Sequence, residues 1–209
     1  MKKLLLILLC LPLLVFSQTE KRLALVIGNA NYDLGVLKNP VNDAVLMSKT
    51  LKKVGFEVML YTDLIDKRSM TEALRDFKEK VPNYQTCLVY YAGHGIQIKT
   101  QNYLIPTQVN LRDAYDVEDN CLPVDRILSY LNAIDKSNDN LNIVILDACR
   151  NNPFERKWSR TVQGKGLAKI ESPAGTLIAY STDEGTTADD NSKMDNSLYC
   201  STLSEVIEI

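Results

Sequence analysis

The short segment from Leu141 to Pro153 constrains this chain more than any other. Within it, residues 143–146 form an unbroken apolar run that is too short for a helix and is typical of a strand buried on both faces of a parallel sheet. Asp147 and Cys149 follow at once, and turn-forming residues then precede Pro153. Because ligands bind beyond the carboxyl ends of strands in open α/β sheets, the segment predicts a carboxylate and a thiol at a functional edge.

A second apolar run, residues 87–92, ends in a glycine-histidine-glycine sequence centred on His94, the only histidine of the chain. If the two runs form neighbouring parallel strands, His94 and Cys149 meet at the same edge of the sheet. An imidazole that accepts a proton from a thiol generates a thiolate nucleophile, so the pair predicts a catalytic dyad. For Cys149 taken alone, a buried structural thiol is the alternative.

Strand-like apolar runs alternate with amphipathic helical segments along the rest of the chain. The predicted strands cover residues 23–27, 56–61, 87–92, 141–149 and 175–180. The predicted helices cover residues 40–54, 69–81, 123–134 and 197–209. This alternation predicts an α/β fold, a three-layer α/β/α sandwich with a mostly parallel central sheet. We also expect a hairpin of residues 96–98 and 102–106 beside His94, and an acidic loop over residues 113–120.

The first residues predict export. A basic head, a short apolar segment and small residues near Ser17 indicate a signal peptide over residues 1–17, with an uncleaved anchor as the alternative. Residues 18–209 then form one domain of ordinary size, periplasmic or secreted, without a stable membrane anchor. The formal net charge is −2 and no basic face is evident, so nucleic acid is not an expected partner.

Export permits disulfides, and four cysteines remain after residue 17. Their spacing is not that of metal ligands. Cys87 at the start of a strand and Cys200 on a helix face are predicted to be core thiols. A disulfide at Cys149 would give that residue a structural role, and the sequence leaves this alternative open.

Four blocks of the sequence resemble the caspase-like cysteine peptidases, and most closely the bacterial metacaspase-like and paracaspase-like proteins. The sequence Tyr-Tyr-Ala-Gly-His-Gly around His94 resembles the histidine block of this family, and Leu-Asp-Ala-Cys-Arg around Cys149, 55 residues further on, resembles its cysteine block. Residues 37–44 resemble its first-helix motif, and residues 179–182 resemble its loop after a strand. The resemblance covers residue 22 to the end and implies a caspase-like fold and the cleavage of peptide bonds.

The resemblance also implies a role for each residue of the dyad. Cys149 is expected to be the nucleophile and His94 the general acid and base. The backbone N–H groups of Gly95 and Cys149 are expected to stabilise the oxyanion. This chemistry needs no cofactor, although some metacaspases require calcium. Arg150 follows the cysteine, as in paracaspases and caspases, where metacaspases usually have histidine.

Substrate choice is predicted from one position two residues before the cysteine. Caspases have glutamine there and cut after aspartate, whereas this chain has Asp147, like the metacaspases and paracaspases, which cut after arginine or lysine. Asp43 matches a second acidic position of their pocket, and Asp183 or Glu184 is a third candidate. Paired carboxylates suit a guanidinium. Alternatively, Asp147 caps a turn or pairs with Arg150, and Asp43 stabilises the first turn of a helix.

Several alternatives remain at this stage. The segment 151–172 is predicted to be a long basic loop, either solvated or cut by the peptidase itself to activate a zymogen. The acidic cluster within residues 113–119 is expected to be solvated surface rather than a calcium site. A non-catalytic caspase-like binding module, an inactive zymogen, or a different thiol enzyme such as an acyl transferase are the competing functions. The sequence does not predict the oligomeric state.

Overall fold

In the computed structural model, strands and helices alternate as the sequence predicts. The structure describes residues 20–33, 35–132, 140–149, 167–181 and 194–209, except for the side chain of Cys149. The strands are β1 (Arg22–Gly28), β2 (Phe56–Thr62), β3 (Thr86–Ile98), β4 (Gln101–Leu104), β5 (Leu122–Pro123), β6 (Leu141–Cys149) and β7 (Thr176–Tyr180). The helices are α1 (Pro40–Lys53), α2 (Lys67–Lys80), α3 (Ala114–Asn120), α4 (Val124–Asn132) and α5 (Leu198–Ile207). The signal-peptide segment 1–17, Asp183 and residues 150–166 lie outside the described residues.

One sheet carries the fold. Its parallel part has the strand order β2-β1-β3-β6-β7, so β3 lies at the centre with β1 and β6 on either side. Beyond its parallel neighbours β3 continues and pairs antiparallel with β4, which in turn pairs with β5. The predicted mostly parallel sheet is therefore confirmed, and the carboxyl ends of β1, β3, β6 and β7 share one edge.

Helices cover both faces of the sheet. On one face, residues of α1 and α5 pack on alternate residues of the central strands, a cluster that includes Ala44, Met47, Leu51, Tyr90, Ile145 and Cys200. On the other face, α2 and α4 pack on the residues between them, a cluster that includes Met70, Leu74, Phe77, Ile127, Val89 and Val144. Strands buried on both faces are what the unbroken apolar runs predict. The result is the expected three-layer sandwich.

Two sequence predictions about local structure are wrong. First, β3 does not end before His94 but runs through it to Ile98. The expected hairpin beside His94 is confirmed, because residues 96–98 pair antiparallel with β4. Second, the acidic stretch predicted as a loop forms α3. The Asp113 carboxylate caps this helix by accepting hydrogen bonds from two backbone N–H groups, which an acidic residue at this position does well.

A glycine at the end of β1 sets where α1 begins. A Cβ atom at Gly28 would lie 2.6 Å from the Cβ of Ala44 and would also meet the carbonyl of Pro40. Only glycine lets the first turn of α1 approach the end of β1 this closely, and Asp43 lies in that turn.

None of the helices in the described ranges has the length and apolar character that crossing a bilayer requires.

Candidate active site

The backbone brings the two predicted dyad positions side by side. The parallel register of β3 and β6 runs without interruption from Thr86 opposite Leu141 to His94 opposite Cys149. Neighbouring strands lie about 4.8 Å apart. The two residues that the sequence predicts as base and nucleophile therefore lie opposite each other on adjacent strands.

His94 is held as a neutral imidazole. Its side chain is buried, with 7% of its surface exposed, and this burial lowers the pKa of the imidazole to about 4. Within the described part of the chain, Nδ1 of His94 has no hydrogen-bond partner. At neutral pH the ring is thus unprotonated, which is the form that a general base requires.

Two tyrosine hydroxyls hold the backbone of His94. The N–H of His94 donates to the hydroxyl of Tyr32 at 2.8 Å, and the hydroxyl of Tyr91 donates to the carbonyl of His94 at 2.8 Å. The ring of Tyr32 also contacts the imidazole, with 4.5 Å between the ring centroids and 51° between the ring planes. The sequence predicts a role for neither tyrosine. Only the fold brings Tyr32 to His94, whereas Tyr91 lies three residues before it in β3.

The two glycines that flank His94 have different functions. Gly93 has φ +151°, and a Cβ there would lie 2.6 Å from the Tyr32 hydroxyl and 2.8 Å from the Tyr91 hydroxyl. Gly95 faces Leu104 of β4, and Ile105 N–H donates to the His94 carbonyl next to this pair. Gly95 and Leu104 are therefore a non-hydrogen-bonded pair, which directs the N–H of Gly95 away from β4.

The two acidic residues predicted for the substrate pocket lie together and are buried. Asp43 in α1 is 2% exposed, and Asp147 in β6 is 7% exposed. Asp43 accepts hydrogen bonds from the side-chain amide of Asn196 at 2.8 Å and from the backbone N–H of Ser197 at 2.9 Å. Asp147 accepts from the hydroxyls of Tyr90 at 3.0 Å and Ser197 at 3.1 Å.

The negative charge of Asp147 is costly. Burial raises the pKa of Asp147, and the nearby negative charge of Asp43 raises it further, whereas the hydrogen bonds from Tyr90 and Ser197 lower it. A bound cation would stabilise the charged form of a carboxylate whose pKa is raised in this way. Ser197 links the two by donating its N–H to one and its hydroxyl to the other.

Other predicted features have a structural use or lie outside the described residues. In the acidic cluster, Asp113 caps α3 and Asp116 forms an ion pair with Arg112. No group of three or more histidine, cysteine, aspartate or glutamate side chains in the described ranges could hold a metal ion. Asp183 lies outside the described residues. The contact residues that sequence reasoning missed are Tyr32, Tyr90, Asn196 and Ser197, although the position of Ser197 three residues before Cys200 is a helix N-cap signal.

The other cysteines do not compete for Cys149. Cys87, Cys121 and Cys200 are all free and buried, so none of them forms a disulfide with Cys149. The predicted core positions of Cys87 and Cys200 are confirmed. Burial raises the pKa of each of the three thiols to about 12.

Comparison with known proteins agrees with this architecture. Residues 21–209 match the sequence profile of the caspase domain. The chain belongs to the caspase domain family. It is also similar to the mucosa-associated lymphoid tissue lymphoma translocation protein 1 of Homo sapiens, with 29% identity over 170 residues, and to its Mus musculus homologue, with 28% identity. In each case the match covers 81% of this chain and 19% of the relative, so the chain spans about a fifth of the length of these relatives.

Family membership gives the general class of reaction. Caspase-domain proteins include cysteine peptidases that act on proteins, and a reaction of this class is what the family supports.

Proposed function

We propose that this protein is a cysteine endopeptidase that uses Cys149 as nucleophile and His94 as general acid and base, and that it cuts peptide bonds after arginine or lysine. The observation that carries the proposal is the register that sets Cys149 opposite His94 on adjacent strands, beside a buried pair of carboxylates. We also propose that the protein acts outside the cytoplasm after loss of residues 1–17. No cofactor is needed for this chemistry.

The proposed reaction follows from these groups. The neutral imidazole of His94 accepts the proton of the Cys149 thiol as the sulfur attacks the scissile carbonyl carbon. The N–H groups of Gly95 and Cys149 stabilise the resulting oxyanion. His94 then gives its proton to the leaving amine as the C–N bond breaks, and a thioester remains. Water, activated by His94, hydrolyses the thioester and returns the thiol.

The carboxylate pair explains the proposed preference for a basic side chain. A guanidinium or ammonium group bound near Asp43 and Asp147 would neutralise two buried negative charges that now lie side by side. An aspartate side chain there would add a third negative charge. Asp183 is a further candidate for this pocket. The pair thus favours arginine or lysine over aspartate before the cleaved bond.

Hydrolysis of matched fluorogenic peptides ending in arginine, lysine or aspartate tests the proposal. The protein would start at residue 18, be kept reduced, and be assayed with and without calcium beside Cys149→Ala and His94→Gln. We expect cleavage after arginine or lysine that disappears in both variants. Cleavage after aspartate would overturn the specificity. No cleavage by folded, reduced protein would favour the binding module, unless a cut within residues 151–172 restores activity.

The segment after the cysteine is the proposed site of self-cleavage. Residues 151–172 contain five basic residues, which a peptidase of this specificity would recognise: Arg156, Lys157, Arg160, Lys165 and Lys169. We expect mass spectrometry to find cuts there in the active protein and none in Cys149→Ala. Equal cutting of a pure Cys149→Ala sample would contradict self-cleavage.

A further inference from the structure

A tyrosine hydroxyl replaces a missing hydrogen bond of the sheet at His94. His94 of β3 stands opposite Ile105, the residue after β4, at a hydrogen-bonded position of this antiparallel pairing. At such a position, the two residues normally donate one backbone hydrogen bond each to the other. Ile105 N–H donates to the His94 carbonyl at 3.0 Å, but the return bond is not made directly. Instead, His94 N–H donates to the Tyr32 hydroxyl at 2.8 Å, and this hydroxyl donates onward to the Ile105 carbonyl at 3.2 Å. Tyr32 is thus built into the backbone at the candidate base.

The same tyrosine also contacts the imidazole. Its ring lies against that of His94 at 4.5 Å between centroids, while Nδ1 of His94 has no hydrogen-bond partner among the described residues. In a catalytic triad, a third side chain bonded to this nitrogen orients the base. Here the contact that the structure shows on the imidazole is an aromatic ring tilted by 51°.

The position of Tyr32 is itself fixed by the fold. The turn before it is held by Asp63, whose carboxylate oxygen accepts from the backbone N–H groups of Ala30 at 2.8 Å and Asn31 at 3.0 Å. Tyr32 is buried, with 5% of its surface exposed. The absence of a side chain at Gly93 leaves the space that its hydroxyl occupies. A rigid support on both sides is what a group needs if it is to orient another.

We propose that Tyr32 is the positioning residue of the dyad, because its hydroxyl fixes the backbone of His94 and its ring fixes the imidazole. The inference rests on the proposed function for its catalytic meaning, but not for its structural content. Tyr32 does not touch the reacting atoms and acts only through His94. Removal of the hydroxyl and removal of the ring should therefore have separate effects.

The single histidine makes a direct test available. Protein labelled with ¹³C and ¹⁵N in histidine gives one imidazole and one histidine amide signal, whether or not it cleaves peptides. In Tyr32→Phe we expect the amide proton signal to shift because its acceptor is lost, while the ring-current shift of the imidazole remains. In Tyr32→Leu we expect both to change. Tyr103→Phe is the matched control, because Tyr103 is equally buried at 4% exposure in the same apolar cluster and its hydroxyl bonds to Gln101.

Kinetics give the second readout. A base displaced by about 1 Å loses up to about 100-fold in rate, so we expect kcat to fall about 10-fold in Tyr32→Phe and about 100-fold in Tyr32→Leu, with KM changed less than about twofold. Tyr103→Phe should match the parent protein. Unchanged histidine signals in Tyr32→Phe would overturn the proposal, and so would equal effects of Tyr103→Phe. If the parent protein cleaves no peptide, the proposed function fails, and the histidine signals still decide whether Tyr32 positions His94.

Discussion

Gly93 lies where two tyrosine hydroxyls beside the dyad leave no room for a side chain. Residues other than glycine rarely adopt its φ of +151°, and a Cβ at this position would lie 2.6 Å from the Tyr32 hydroxyl. We expect Gly93→Ala to lower the free energy of unfolding by about 2–4 kcal/mol, because backbone strain and a steric clash act together. Chemical denaturation measures this change.

Gly35 offers a matched control for that substitution. It has a similar φ of +139°, but a Cβ there would meet no atom within 4 Å. Gly35→Ala should therefore show the cost of backbone strain alone, and a cost equal to that of Gly93→Ala would rule out the clash with the two hydroxyls.

Asp147 is expected to reduce stability while it serves binding. Its pKa is raised by burial and by the charge of Asp43, so the ionised form is destabilising in the folded protein. The hydroxyls of Tyr90 and Ser197 both donate to the same oxygen, which the amide oxygen of asparagine can replace. We expect Asp147→Asn to raise Tm by a few degrees, or about 1 kcal/mol, and to abolish cleavage after arginine.

Asp43→Asn is the natural comparison, because its carboxylate accepts from a backbone N–H and a side-chain amide. Differential scanning calorimetry of both variants, beside the peptide assay, separates stability from specificity. A lower Tm in Asp147→Asn would show that its charge is well solvated or compensated in the folded protein.

At the scale of elements, Ser197, the residue that caps the N-terminus of α5, connects this helix to the acidic pair. The hydroxyl of Ser197 accepts from the backbone N–H of Cys200 at 3.1 Å and donates to Asp147. We expect Ser197→Ala to cost about 1 kcal/mol because the helix loses its N-cap. Ser201→Ala, which removes a hydroxyl bonded within the same helix, should cost less than half of this in urea unfolding. Equal costs would show that the cap contributes no more than an ordinary helix hydroxyl.

The central strand shows what the sequence does and does not predict. The apolar run 87–92 predicts a buried parallel strand, and with it the meeting of His94 and Cys149, because the periodicity of burial is a local property. The continuation of β3 to Ile98 is not predicted, because glycine on either side of a polar residue usually ends a strand. Here Gly93 makes room for two hydroxyls, that of Tyr91 in the same strand and that of Tyr32, which the fold brings from a distant part of the chain.

Other differences have the same origin. The acidic stretch 114–120 is a helix whose first turn Asp113 caps. The sequence does not predict this helix, because a capping residue followed by acidic residues is equally typical of a solvated loop. The contacts of Tyr32 and Ser197 with the candidate site join positions that are 62 and 50 residues apart in the chain, so no local pattern reveals them. The pairing of Asp43 with Asp147 follows from the family resemblance and not from their spacing in the sequence.

At the scale of the whole molecule, His94 couples stability to pH. Its pKa of about 4 lies below the ordinary value of 6.5, so between these values the unfolded chain binds a proton that the folded protein does not. The contribution of His94 to the free energy of unfolding is complete above about pH 6.5 and is lost as the pH falls towards 4. We expect this group alone to account for on the order of 3 kcal/mol.

The neighbouring carboxylate acts in the opposite direction. Asp147 has a raised pKa, so it takes up a proton in the folded protein before the unfolded chain does, and this opposes the loss caused by His94. Urea unfolding of the parent protein and of His94→Gln from pH 7 to pH 4 isolates the contribution of His94 as the difference between the two curves. Parallel curves would contradict a buried neutral imidazole.

The three buried cysteines have a practical consequence. Thiols whose pKa burial raises to about 12 hold almost no thiolate at neutral pH, and alkylating agents react with thiolate. In folded protein starting at residue 18, a limiting amount of iodoacetamide should modify Cys149 selectively. One such titration would count the molecules in a preparation that have a reactive Cys149. The same thiol would accept a fluorescent or affinity label without any engineered cysteine.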